Sequence, residues 1–395
     1  TSETPKPSTA VNNIRDDNPV RNLAPIICVV AIFGVSLGLT VPLIAIVLDS
    51  QGHSASAIGL HASTQFLGIM LASPITPWLM RTVGNSRLVA VSLGLMAFTF
   101  TAFPLATGFF SWLFLRLFLG TLEGVIFISA ETWINQMAPI SKRGRTIGVY
   151  GTFLAGGIAA GPLLLELTGV QGGTPFFVGA ILTVFCLAVL LLSPQNAPNL
   201  IDTKSRSAWK MAQTIPIAIA STILFGFLDA AVFGLLPIYG LALDFSPINA
   251  ARLVTVLVLG GMVFQYPLGL LADYINRQYL LVACAGLASF SMLLIPIVAD
   301  FSTPVLLLLF ITGGMIGALW TIPLIIFGEN FTDTELATVN SMAAVLYGLG
   351  SIIGPSVVGF SMTRSPHALM LTMATATMLL VLFGLLIYWK TGRSP

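Results

Sequence analysis

The chain is written in long apolar runs separated by short polar breaks. Windows of about 19 residues place twelve such runs at approximately 24–48, 57–79, 88–110, 111–136, 145–168, 175–193, 214–240, 248–271, 278–299, 303–328, 336–361 and 367–389. Roughly 20 apolar residues at about 1.5 Å each cross a hydrocarbon core of about 30 Å, so each run reads as a membrane-spanning helix. A transmembrane β-barrel is excluded, because the runs are apolar throughout instead of alternating over about ten residues. The expected fold class is therefore an all-α membrane protein with 12 transmembrane helices.

The polar breaks divide this pattern. Residues 1–20 carry Pro5, Pro7 and an Asp16–Asp17 pair and lack the basic-then-apolar order of a cleaved signal, so a cytoplasmic tail is expected there. The longest internal break, 194–213, holds Pro194, Pro198, Asp202, Lys204, Arg206 and Lys210. It separates a first unit, 21–193, from a second, 214–390, and residues 391–395 form a second expected tail. The units repeat each other: Pro77–Gly84 aligns with Gly269–Asn276 at an offset of 192, and Gly157-x-x-x-Gly161-Pro162 with Gly350-x-x-x-Gly354-Pro355 at an offset of 193. Two tandem six-span repeats that start on the same side of a membrane are related by an axis along its normal. The expected architecture is two pseudo-symmetric six-helix bundles with the substrate between them near mid-membrane.

Composition agrees with this reading, with 56% apolar residues, 8% charged residues and a mean hydropathy of +0.95, far from the roughly 25% charge of soluble domains. Lys6, Arg15, Arg21, Arg81, Arg87, Lys142, Arg143, Arg145, Lys204, Arg206, Lys210, Arg277, Lys390 and Arg393 all fall on one side of the expected topology, against Arg252 and Arg364 on the other. The positive-inside rule then places both termini in the cytoplasm. A net charge of +2 is a topological signal and not a nucleic-acid footprint. Cys28, Cys186 and Cys284 lie inside spans 1, 6 and 9 and read as packing residues.

Charges inside the spans are the candidate chemistry. Span 4 holds Arg116 and Glu123, two turns apart on one stripe, with Glu131 further along. At least about 2.5–3.5 kcal/mol opposes each such group at mid-bilayer unless it faces protein or water. Glu123 and Asp229 stand near the middle of spans 4 and 7. An acid in a cavity that opens alternately to each side can take up and release a proton, the requirement of a coupling site. The competing reading is a permanently held acid acting as a helix tie, with Arg116 the natural partner of Glu123. His61 and Gln65 form a polar stripe in span 2, where a histidine either titrates near neutral pH or packs through a hydrogen bond. Trp320 and Tyr347 lie deep enough to line a site, whereas Trp112, Trp133 and Trp389 suit the aromatic belts, and Glu166, Asp300, Glu329, Asp333 and Glu335 fall at span ends.

The segment Gly269-Leu-Leu-Ala-Asp273-Tyr-Ile-Asn-Arg277 resembles the G-x-x-x-D-[RK]-x-G-[RK] signature of the major facilitator superfamily. Arg116-x-x-x-Gly120 resembles that family's helix 4 arginine motif, and Gly157-x-x-x-Gly161-Pro162 its helix 5 antiporter motif, while Glu131-Thr-Trp133 followed by Arg143-Gly-Arg145 resembles its YcaD-like bacterial branch. The resemblance spans the whole chain and implies the major facilitator fold, with helices 4 and 7 lining the central cavity. It also implies a gate on the cytoplasmic side, formed by Arg81, Arg87, Glu131, Gly269, Asp273 and Arg277. The sequence departs from the signature: Arg81 holds the aspartate position in the first half and Thr82 follows it, and Tyr274 and Asn276 replace a base and a glycine in the second. Gly157, Gly161, Pro162, Gly350, Gly354 and Pro355 have the spacing of close helix packing, and the resemblance adds that the helix 5 motif is commonest among exporters.

No G-x-x-x-x-G-K-[ST] loop occurs, and no polar segment is long enough to hold an ATPase, so energy must come from a gradient. There is no nucleophile–base pair and no metal-ligand spacing, so neither an enzyme, a metal site nor a cofactor is expected. The expected partners are a small-molecule substrate, protons and the lipid bilayer, with no nucleic acid, and the chain is expected to act as a monomer. The leading expectation is a proton-coupled secondary transporter of the bacterial inner membrane, exporting a small organic or amphipathic solute by H+ antiport. A proton-coupled importer and a non-transporting membrane sensor or scaffold are its rivals.

Overall fold

The structure is a computed structural model describing residues 19–137, 143–193, 211, 213–331 and 333–391. Within them run twelve α-helices: α1 (Pro19–Ser50), α2 (Ala55–Val83), α3 (Asn85–Ala102), α4 (Phe109–Met137), α5 (Arg143–Thr168), α6 (Thr174–Leu192), α7 (Pro216–Ala242), α8 (Pro247–Tyr274), α9 (Arg277–Leu294), α10 (Ser302–Asn330), α11 (Asp333–Met362) and α12 (Ala368–Thr391). Eleven are long and apolar enough to cross a membrane. The exception is α3, whose Asn85, Ser86, Arg87, Ser92, Thr99 and Thr101 dilute its apolar residues. It also ends at Ala102 instead of running to 110, because Pro104 follows and Gly108 turns the chain at a φ of 89°. The expected tails and the linker fall largely outside the described residues, although α1 starts at Pro19, inside the stretch read as a tail.

Local chemistry marks several helix starts. The Ser54 hydroxyl accepts from the Ala57 N–H to begin α2, Ser246 from Asn249 to begin α8, with Pro247 in the first turn, and the Asn276 side chain from Gln278 to begin α9. Prolines sit inside α1, α2, α5, α7, α8, α10 and α11. A membrane helix tolerates them because neighbouring helices and hydroxyls satisfy the freed carbonyls.

Each half packs its helices in the same way. The pair α1–α5 recurs as α7–α11, α2–α4 as α8–α10, and α3–α6 as α9–α12. Glycine permits the first two contacts. A Cβ at Gly157 would overlap the Ala31 carbonyl and one at Gly161 the backbone of Gly38, while Gly350 and Gly354 stand in the same way against Ile223 and Phe227. Without a hydrophobic drive between helices in lipid, such backbone approach is what holds a bundle together.

The halves meet through α2–α11, α5–α8 and α1–α7. Helices alternate in direction, so the termini share one face. Several side-chain bonds join the halves toward the opposite face. Ser63 Oγ donates to the Ile352 carbonyl at 2.6 Å and lies 2.9 Å from Ser356 Oγ, Thr255 Oγ1 donates to the Ala159 carbonyl at 2.9 Å, and Arg252 pairs with Glu166. These bonds seal the far face. Two of the tryptophans assigned to the aromatic belts turn inward instead, Trp112 at 9% exposure and Trp133 at 3%, because α4 is enclosed by α1, α2 and α3; Trp389 is 83% exposed.

Candidate functional site

The α2–α4 crossing builds the first-half site. A Cβ at Gly120 would overlap the Gln65 carbonyl and one at Gly68 the Leu117 carbonyl, so two glycines bring the helix backbones into contact at this level. Gln65 is thereby held beside the charged stripe of α4. Seven residues separate Arg116 from Glu123, about 10 Å along the axis, and the Gln65 amide fills that gap. Arg116 Nε donates to Gln65 Oε1 at 2.9 Å, and Gln65 Nε2 donates to Glu123 Oε2 at 2.7 Å. On the other side, Ser36 Oγ of α1 donates to Glu123 Oε1 at 2.6 Å. All four residues are fully buried or nearly so.

Arg116 and Glu123 therefore interact through an amide relay instead of a direct ion pair. Both carboxylate oxygens have donors, whereas Arg116 Nη1 and Nη2 have no protein partner among the described residues. One turn from Gln65, His61 is also buried, with Nε2 3.3 Å from the Phe109 carbonyl and its ring edge-on to Phe109 at 4.9 Å. It packs at the end of the stripe and takes no part in the relay.

The second half places Asp229 on α7 differently. Tyr347 on α11 donates its hydroxyl to Asp229 Oδ2 at 2.9 Å, and both residues are half-buried. Trp320 on α10 and Phe225, one turn before Asp229, complete an aromatic trio with Tyr347, with ring centroids 5.4, 5.6 and 5.7 Å apart. The trio borders the seam between the halves, since a Cβ on Gly348 would touch the Met70 side chain of α2.

The expected gate residues lie on the termini face. Arg81, Arg87, Glu131 and Asp273 are exposed there, and Arg277 pairs with Glu329 of its own half at 2.6 Å. At Gly269, the first residue of the signature segment, an added Cβ would meet nothing within 4 Å. Lys142 lies outside the described residues, as do the side chains of Arg143 and Arg145.

Sequence reasoning missed Ser36, Phe225 and the Glu166–Arg252 tie. The internal repeat carried a signal for one of them: Gly34 and Gly226 set an offset of 192 between α1 and α7, at which Phe33 corresponds to Phe225, whereas nothing in the repeat marks Ser36. Glu166 and Arg252, by contrast, are 86 residues apart near helix ends that look merely interfacial.

Residues 26–300 and 218–395 match the sequence profile described as Major Facilitator Superfamily. The chain belongs to the major facilitator superfamily. Among relatives of this superfamily, the chain is 28% identical over 382 residues to the MFS-type transporter YfkF of Bacillus subtilis (strain 168), covering 94% of this chain and 96% of YfkF. It is 25% identical over 363 residues to the MFS-type transporter YcaD of Escherichia coli O9:H4 (strain HS), covering 89% and 91%. Its fold is similar to that of the nucleoside transporter NupG, with a TM-score of 0.78 at 13% identity over 94% of this chain and 100% of NupG. A D-xylose–proton symporter gives a TM-score of 0.76 at 15% identity over 92% and 97%. The protein is thus a multi-pass membrane transporter with the two-bundle fold of its superfamily.

Proposed function

We propose that this transporter couples proton movement to the export of a small organic or amphipathic solute across the bacterial inner membrane by alternating access, with both termini in the cytoplasm. The observation that carries this reading is a pair of mid-span carboxyls, one in each half. Glu123 is held by Ser36 and Gln65, and Asp229 by Tyr347. A carboxyl that alternating access exposes to one side and then the other exchanges its proton with each, which is what coupling requires. In this scheme the Arg116–Gln65–Glu123 relay senses protonation, because a protonated Glu123 loses its charge-assisted bonds to Ser36 and Gln65. Arg81, Arg87, Glu131, Asp273 and Arg277 serve as gate residues when the termini face closes. The direction of transport rests on the helix 5 motif, Gly157-x-x-x-Gly161-Pro162. The bias of basic residues supports the orientation.

The test begins with a thermal-shift screen of the purified protein, because a solute that binds only the folded state raises its apparent stability. Each solute found is then added to inverted vesicles holding a preset, acid-inside pH gradient. Export by H+ antiport predicts that the solute collapses the gradient in wild type and not in Glu123→Gln. If no bound solute moves protons, the coupled reading is wrong; if the solute moves with protons in the same direction, the protein is an importer.

A further inference from the structure

The two halves offer unlike carboxyls. Glu123 has both oxygens occupied by protein donors and is fully buried. Asp229 has one bond, from Tyr347, and keeps Oδ1 without a protein partner among the described residues, in a side chain that is half-buried. No Lys, Arg or His occurs in α7, α10 or α11, the helices that build its surroundings. In the other half, Arg116 donates its Nε to Gln65. An ionised carboxylate in a membrane interior requires a partner, and none of α7, α10 and α11 supplies a cation.

One aromatic ring, Tyr347, is bonded to it instead, and two more pack on that ring. Phe225, Trp320 and Tyr347 come from three different helices and are mutually in contact, with centroids 5.4–5.7 Å apart. The face of an aromatic ring attracts a cation through its quadrupole, most strongly for tryptophan, and grouped rings receive ammonium groups; here a carboxylate bonded to one of the rings adds a counter-charge. The repeat sharpens the point. At the corresponding places the first half has Leu37 for Asp229 and the stacked pair Phe33–Phe127, 5.0 Å apart, for Phe225 and Trp320. At these places a negative charge and a third ring belong to the second half alone.

We infer that Asp229, Tyr347, Trp320 and Phe225 form the substrate site for an organic cation, a substituted ammonium or phosphonium group carrying apolar arms. Asp229 supplies the counter-charge, the rings receive the cationic centre and its arms, and the Tyr347 hydroxyl orients the carboxylate. This assignment rests on the transporter reading and names its substrate class.

The experiment measures equilibrium binding of radiolabelled tetraphenylphosphonium to the full chain in detergent, with tetraphenylborate as an anion of the same shape. The cation is expected to bind saturably and not to be displaced by the anion. Asp229→Asn should weaken it at least about tenfold, and Trp320→Ala from severalfold to about thirtyfold, with Trp320→Phe recovering most of the loss. Each variant is first shown to retain the wild-type unfolding midpoint within a few degrees. A variant that does not is replaced by Phe225→Leu, for which the same severalfold weakening is expected. Absence of saturable binding, equal binding of the two ions, or undiminished affinity in Asp229→Asn would overturn the assignment and leave proton-coupled transport standing. Asp229-dependent binding that moves no protons in vesicles would support the assignment and sink the coupling.

Discussion

The first half of this transporter closes its carboxyl inside a relay, and the second half leaves its carboxyl partly accessible beside three rings. Both are mounted on the same scaffold: α1–α5 and α2–α4 on one side, α7–α11 and α8–α10 on the other, each crossing at glycines. A duplicated frame has therefore acquired two chemistries through few positions. On α1 Ser36 donates to Glu123 of α4, whereas α7 carries the acid itself, Asp229, which accepts from the Tyr347 hydroxyl. The difference separates a site able to register a proton from one able to register a ligand. Each of the following changes is a way to break or sharpen that separation.

The largest effect should come from the shared frame. Gly161→Leu and Gly354→Leu put a side chain where the opposing backbone already lies, Gly38 in one half and Phe227 in the other. Overpacking of this kind costs about 1–3 kcal/mol where neighbours can yield and more where backbone must move. Both variants are expected to lose most folded protein, read as yield of the monodisperse peak on size exclusion. If one tolerates leucine and the other does not, the scaffold is not equivalent in the two halves.

Next in size is the removal of each carboxyl. Glu123→Ala strands the Ser36 hydroxyl and one end of the Gln65 amide and leaves Arg116 uncompensated, whereas Asp229→Ala strands only the Tyr347 hydroxyl. Buried unsatisfied polar groups cost about 1–3 kcal/mol each, and an uncompensated buried charge more. The expected result is a clearly larger fall in unfolding midpoint for Glu123→Ala than for Asp229→Ala. Equal falls would mean that the second carboxyl is also held by the protein.

The relay itself predicts a smaller, more specific term. Gln65→Leu and Arg116→Gln both cut the same chain of bonds, so their effects on stability should not add, with a coupling of roughly 0.5–3 kcal/mol in a double-mutant cycle. Additive losses would assign Arg116 to another partner.

The fold was readable because apolar runs of bilayer length and a repeat at a near-constant offset are properties of the chain alone. Glu123, Asp229 and Arg116 stood out for the same reason, as charges in apolar helices. Gln65 could be placed on the polar stripe of span 2, but its role as the link depends on the rotation of α2 against α4. That rotation is set by Gly68 and Gly120 meeting backbone across the crossing, a fact of packing. Ser36 and Phe225 are common residues in apolar helices, and the register between the halves marks only Phe225, the repeat of Phe33. Trp112 and Trp133 were misplaced at the interface because tryptophan suits both a headgroup belt and a tight core, and burial by neighbouring helices decides between the two. The Glu166–Arg252 tie follows from the far face being closed, a property of one conformation.

The smallest expected effect is the most direct measure of how the two carboxyls differ. Ser36→Ala and Tyr347→Phe each delete one hydroxyl donor to a carboxylate, at 2.6 Å and 2.9 Å. A hydrogen bond to a charged group contributes about 1.5–3 kcal/mol when nothing replaces it. Around Glu123 nothing does, because the oxygen that loses Ser36 is enclosed by α1, α2 and α4. Asp229 is half-buried, so water can take the place of the Tyr347 hydroxyl and recover most of the bond. Tyr347→Phe also keeps its ring in the aromatic trio. Ser36→Ala should therefore lower stability by about 1.5 kcal/mol or more, and Tyr347→Phe by less than about 1 kcal/mol, measured by reversible unfolding in mixed micelles. A loss in Tyr347→Phe as large as that in Ser36→Ala would show that Asp229 is as dry as Glu123, and the division between a sealed and an accessible carboxyl would have to be abandoned.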